Sequence, residues 1–103
     1  MAIIKRFLKT KPICKVKFKI PKNLATGTRK VSLVGDFNNW SDRKHRMKKL
    51  KTDGSYAITI DLEQGKEFQF KYKLDNNIWI EEPDADKSVV TQFGDSNNSV
   101  VVT

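Results

Sequence analysis

Trp40 and Trp79 are the two residues that the pattern of the chain does not absorb. Trp40 closes the stretch Gly35-Asp36-Phe37-Asn38-Asn39-Trp40, whose Gly, Asp and Asn content reads as loop. Trp79 lies between Ile78 and Ile80. In an extended segment it takes the face opposite to theirs. An indole outside the core offers a large flat apolar surface and one N–H donor. Such a surface stacks on the apolar face of a sugar ring, or on a base. Lys71 falls on the outer face of its segment, and Asn38-Asn39, Asn76-Asn77 and Asn97-Asn98 supply amides. Amides both donate and accept, which suits vicinal hydroxyls. The same Asn pairs serve equally as turn residues, because Asn tolerates positive φ. Either Trp could also fill a core. Position alone therefore leaves a sugar groove and a plain core reading both open.

The elements that must carry these residues read as strands. Along residues 13–20, Cys14, Val16, Phe18 and Ile20 alternate with Lys15, Lys17 and Lys19, the period of a half-buried strand. A second strand is expected over residues 30–34, with Val31 and Leu33 on one face. Residues 43–51 are dense in charge and fit one helical turn or a short edge strand. Asp53-Gly54 is a hairpin signal. It leads into residues 55–62, where Tyr56, Ile58, Ile60 and Leu62 share a face. After the turn at Gly65, Phe68, Phe70, Tyr72 and Leu74 alternate with Gln69, Lys71 and Lys73. Residues 78–80 form a short strand, residues 81–94 a long loop containing Pro83, and residues 99–103 the closing strand. Short strands at regular spacing with turn signals between them predict an all-β, immunoglobulin-like antiparallel β-sandwich of about seven strands. Residues 1–12 are expected as a basic arm or edge strand, and residues 13–103 as one carbohydrate-binding sandwich domain.

Composition sets the outer limits. The 103 residues are enough for one core and too few for a (β/α)₈ barrel of about 250. Cys14 is alone, so no intramolecular disulfide is expected and a cytoplasmic location is the default. No apolar run is long enough to span a membrane. The net charge of +8 is unevenly placed. Residues 1–51 hold 16 Lys and Arg against Asp36 and Asp42, whereas residues 52–103 hold 4 Lys against 10 Asp and Glu. A basic half of this kind first points to nucleic acid.

The residue match narrows the choice. Val31-Ser-Leu-Val-Gly-Asp-Phe-Asn-Asn-Trp-Ser41 resembles the opening signature of family 48 carbohydrate-binding modules. These include the glycogen-binding domain of the AMP-activated protein kinase β subunit and the N-terminal early-set domains of isoamylases and branching enzymes. Gln69-Phe-Lys-Tyr-Lys-Leu-Asp75 with Ile78-Trp-Ile-Glu-Glu-Pro-Asp84 resembles the second block of the family. Thr91-Gln-Phe-Gly-Asp-Ser-Asn-Asn98 resembles the last. The resemblance implies a non-catalytic binder of α-1,4-glucan: glycogen, starch or maltooligosaccharides. It implies that Trp40 and Trp79 stack on the glucan and that Lys71 contacts hydroxyls. It places Phe93 where the family has a leucine that reaches into the ring of a cyclic glucan. Asp95 and Asn97 fall where a threonine and an asparagine follow that leucine. Phe93 and Asp95 depart from the family pattern, as does an extra residue in the turn at residues 75–77. A glycogen- or starch-metabolising enzyme acting in trans is the implied partner.

Other classes fit less of the chain. A glycosidase needs two carboxylates flanking one bond, while Glu81, Glu82, Asp84 and Asp86 crowd a single loop. His45 has no nucleophile and acid arranged around it in the sequence. Asp84, Asp86 and Asp95 match no calcium-loop spacing, so neither metal nor cofactor is expected. Single-stranded nucleic-acid binding by the basic half, and docking of that half on an acidic partner as an early-set interaction module, are the competing readings.

Overall fold

The computed structural model describes residues 2–75, 78–91 and 96–103. Two antiparallel sheets face each other, with no α-helix among the described residues. The first contains β1 (Ala2–Phe7), β2 (Ile13–Ile20), β5 (Tyr56–Glu63) and β4 (Lys48–Lys49), in the order β1-β2-β5-β4. The second contains β3 (Val31–Gly35), β6 (Glu67–Leu74), β9 (Asn97–Val102) and β8 (Lys87–Val90), in that order, with β7 (Ile78–Ile80) also paired to β6. The chain is thus the all-β, immunoglobulin-like sandwich that its spacing predicts.

Alternation places the core. Cys14, Val16, Phe18 and Ile20 are fully buried from β2, and Phe70, Tyr72 and Leu74 face them from β6. Phe18 meets Phe70 edge-on at 5.0 Å between centroids, a favoured arrangement of the two quadrupoles. Tyr72 is buried as well, and its hydroxyl donates to Glu82 Oε1 at 2.8 Å. Burial, reinforced by the Glu82 charge, pushes the phenol far above its usual range, so it remains a donor. Glu82 in turn accepts from the Asp84 amide and its own amide donates to Ser99 Oγ. One of the loop carboxylates is therefore a buried structural acceptor.

Three elements differ from expectation. Residues 81–94 are not all loop, because Lys87–Val90 forms β8 against β9. An edge strand with mostly exposed side chains has no period-two signal to read. β3 is buried on both faces, not one. The following connection folds back over it, and Ser32 Oγ donates to the Asp42 carbonyl. Ile78 is 57% exposed although it shares the face of Ile80, which packs on the core. In the charged segment, residues 42–44 form a turn, Arg46 makes an isolated bridge to Ser32, and only Lys48–Lys49 is a short edge strand. The segment also links the sheets. The Leu33 amide donates to the His45 carbonyl and the Met47 amide to the Val31 carbonyl, after which β4 joins β5.

Surface carboxylates pin the turns. Asp53 accepts from the Ser55 hydroxyl and amide and pairs with Lys19, which hold its carboxyl far below the ordinary range. Asp75 accepts from the Arg29 and Lys30 amides and is lowered by them. Burial instead lowers His45, with Lys44 adding to the effect. Each folded-state value lies below the unfolded one, so stability rests on the deprotonated forms and is lost as pH falls. Thermal melting is expected to fall gently below about pH 6.5, from His45, and steeply below about pH 4, from the aspartates. His45→Gln should remove the first step and leave the second. A flat profile down to pH 4 in the parent chain would contradict the His45 assignment.

Candidate functional site

The outer face of the second sheet carries the site. β6 is its axis, because β3 covers one edge while β9 and β7 share the other. The β9 ladder starts at Ser99 against Phe70, and the β7 ladder stops at Ile80 against Tyr72. Lys71 lies at this junction, and its Nζ donates to Ser96 Oγ at 3.0 Å. An open groove of about 1040 Å³ runs over this face between Trp40 and Trp79. Gln69, Lys71, Ser96 and Asn98 line its floor and side, with Asp36 and Glu81 at the margins.

Trp40 is held from below. A short 3₁₀ turn, Asp36–Asn38, follows β3. Asn39 and Trp40 then both take positive φ, 55° and 59°. That conformation is uncommon for a bulky side chain and costs on the order of 1 kcal/mol or more. Asn38 offsets it. It is buried, its Oδ1 accepts from the Gly35 amide at 3.1 Å, and its Nδ2 donates to the Leu33 carbonyl at 2.9 Å. Nδ2 also lies 2.8 Å from His45 Nδ1. An amide nitrogen can only donate, so His45 is the neutral tautomer protonated at Nε2, in keeping with its lowered pKa. Asp36 finishes the arrangement. Oδ1 accepts the Trp40 indole N–H at 3.1 Å, and Oδ2 accepts the Gln69 amide at 2.8 Å. The indole N–H is consumed by the protein, and the ring presents its face.

Trp79 is supported differently. It pairs with Lys73 across β7 and β6, and Lys73 Nζ lies 5.3 Å from the indole centroid, within cation–π range. Lys73 also pairs with Asp42 Oδ2 at 2.8 Å, which lowers the Asp42 carboxyl. The two tryptophans remain 38% and 47% exposed, so each keeps apolar surface for a ligand.

Trp40, Lys71 and Trp79 thus meet in one groove. Asn97 does not line it. Asn97 shares its strand face with the buried Ser99 and Val101, whereas Asn98 points the other way and donates to Gln69 Oε1 at 3.0 Å. Phe93 and Asp95 lie outside the described residues, as do Asn76 and Asn77. Sequence patterning does not single out Asp36, Gln69 or Ser96, and it offers Asn98 only as one of an amide pair. Gln69 could have been found, because it shares the outward phase of Lys71.

This groove sits on a chain whose residues 16–92 match the family profile of carbohydrate-binding module 48, the isoamylase N-terminal domain. The chain belongs to that family. The module is 32% identical over 76 residues to human 5'-AMP-activated protein kinase subunit beta-2, covering 74% of this chain and 26% of that subunit. It is 47% identical over 36 residues to a 1,4-alpha-glucan branching enzyme of Synechococcus sp. (strain JA-2-3B'a(2-13)), covering 35% of this chain and 5% of that enzyme. A Debaryomyces hansenii 1,4-alpha-glucan-branching enzyme is 45% identical over 38 residues, or 37% of this chain and 5% of the enzyme. The module therefore spans about a quarter of the kinase subunit and about a twentieth of the branching enzymes. Among the described residues no helix is long and apolar enough to cross a membrane.

Asp36→Ala tests how the module holds its first tryptophan. The substitution frees the indole and leaves the Gln69 amide without its acceptor. Carbohydrate affinity should fall roughly fivefold, about 1 kcal/mol, the net worth of one typical hydrogen bond. Asp36→Asn, which can still accept from one donor, should fall less. Calorimetric titration reads both.

Proposed function

We propose that this module binds α-1,4-glucan through the Trp40–Trp79 groove and does not hydrolyse it. The observation that carries the reading is the convergence of two half-exposed tryptophans with Lys71, Gln69 and Asn98 on one sheet face. Glucose rings present an apolar face to indole and a rim of hydroxyls to amide and ammonium groups. Lys71 and Asn98 hold hydroxyls. The family resemblance adds Phe93 as a wedge and Asp95 as a polar contact, while Asn98 takes the place on this face that the resemblance gives to Asn97. Among the described residues, the groove carboxylates Asp36 and Glu81 are not arranged as a hydrolytic pair. Both oxygens of Asp36 are engaged, by the Trp40 indole and the Gln69 amide, so it is a structural acceptor. The relatives named for 1,4-α-glucan branching favour a role beside glycogen or starch metabolism.

Titration with maltoheptaose or β-cyclodextrin, read by tryptophan fluorescence, tests the proposal. Saturable quenching that hardly changes between low and high salt is the expected result. No change at millimolar sugar overturns it. Single-stranded DNA run alongside should bind weakly, if at all, and lose that binding as salt rises.

A further inference from the structure

We propose that the open edge of β5 at Thr59 and Asp61 is a docking strip for an extended, net-acidic segment of a partner polypeptide, which adds a strand to the first sheet.

β4 is only two residues long and covers Tyr56 and Ala57 alone. Beyond it, β5 continues without a strand partner on that side among the described residues. Two hydrogen bonds fix which main-chain groups face the gap. On the β4 side, the Leu50 amide donates to the Ser55 carbonyl at 2.7 Å. On the β2 side, the Gln64 amide donates to the Pro12 carbonyl at 2.9 Å. In an antiparallel ladder these directions alternate residue by residue. The odd-numbered residues therefore point toward β4 and the even-numbered ones toward β2. Thr59 and Asp61 direct both amides and both carbonyls past the end of β4, and no described main-chain group outside the ladders meets them. Groups of this kind pair readily with an incoming strand.

The opposite edge of the same sheet is guarded. On β1, Lys5 points to the inner side with Val16 as its cross-strand partner and pairs with Asp86, a charge that blocks strand addition. β5 has no such guard, since Ile58, Ile60 and Leu62 are its inward residues. An open groove of about 620 Å³ runs beside them, with Phe37 and His45 across it. Side chains that an added strand turns inward would meet Phe37 and Ile58, so they must be apolar. Those turned outward meet Thr59, the Lys15–Asp61 pair and, at the near end, Lys48. The +8 chain selects an acidic occupant and disfavours a second copy of itself.

The test is titration of acetyl-Glu-Val-Glu-Val-Glu-Val-amide into ¹⁵N-labelled protein. Amide shifts should centre on Thr59 and Asp61, with hydrogen exchange there slowed roughly tenfold or more, and the Trp40 and Trp79 signals should not move. N-methylation of the peptide nitrogens on one edge should abolish the effect, and on the other edge should not. Thr59→Pro removes an outward N–H without breaking a bond to β2, so it should bind more weakly while melting near the parent temperature. Shifts spread over the lysine face and indifferent to N-methylation would reduce the effect to charge attraction and overturn the proposal. So would silence at about 2 mM peptide, or peptide-free broadening of Thr59 that grows with protein concentration, which would make a second copy the occupant. The readout is independent of glucan binding.

Discussion

Trp79→Ala is expected to weaken maltoheptaose binding by roughly thirtyfold, and Trp40→Ala by a similar factor. A sugar ring stacked on an indole covers roughly 80 Å² of it, and at about 25 cal/mol per Å² this is about 2 kcal/mol. Binding by such open grooves is weak at the outset, so either loss should remove measurable affinity below millimolar sugar. The fold should survive both changes. Each side chain is half-exposed, and neither belongs to the core cluster around Phe18, Phe70 and Tyr72. Trp79→Ala releases Lys73 from one contact but leaves it paired with Asp42. Calorimetry for affinity and thermal melting for stability separate the two effects. Full affinity after Trp79→Ala would remove the indole from the site. A double substitution no worse than either single one would show that the two tryptophans do not engage one chain together.

How much of this groove the sequence discloses depends on the strand. Lys71 was legible because β6 alternates without interruption, so its outward phase is unambiguous. Asn98 was not, because Ser99 is followed by Val100, Val101 and Val102, and a continuous apolar run hides which residue faces in. Ser99, Val100 and Val101 are all buried, so the phase comes from register: Ser99 and Val101 lie opposite Phe70 and Phe68, and this turns Asn97 away from the groove. Asn38 and Asn39 were legible as turn residues but not as different devices. Asn39 supplies the left-handed conformation, whereas Asn38 is a buried lock on three partners up to seven residues away. β8 was invisible for a related reason, since an edge strand packed on one neighbour needs no apolar face. The basic half of the chain also reads differently in three dimensions. Lys15, Lys17 and Lys19 lie on the outer face of the first sheet, away from the tryptophan groove, so their charge is no guide to its ligand.

Gly35→Ala is expected to destabilise the module by about 3 kcal/mol and to lower its melting temperature by roughly 15 °C. The backbone at Gly35 is extended, with φ of −173°, so its conformation suits any residue. The demand for glycine comes from close approach. A Cβ there would lie 2.5 Å from the Gln69 carbonyl oxygen, 2.8 Å from Phe70 Cβ and 3.0 Å from the Phe37 ring. The first two belong to the fully paired central strand and cannot yield as the end of a flexible side chain would. Relief must come from moving Gly35 itself, and that displaces the site. The Gly35 carbonyl accepts the Trp40 amide, and its amide donates to Asn38, so both ends of the loop shift with it. Glucan binding should therefore be lost at temperatures where the variant is still folded. Gly27→Ala is the control. Gly27 has φ of +77°, and a Cβ there would meet nothing within 4 Å, so it should cost only the left-handed strain of about 1 kcal/mol and leave binding intact. If the two variants melted alike, the approach of β3 to β6 would be looser than these distances require. The loop that carries Trp40 would then need another anchor.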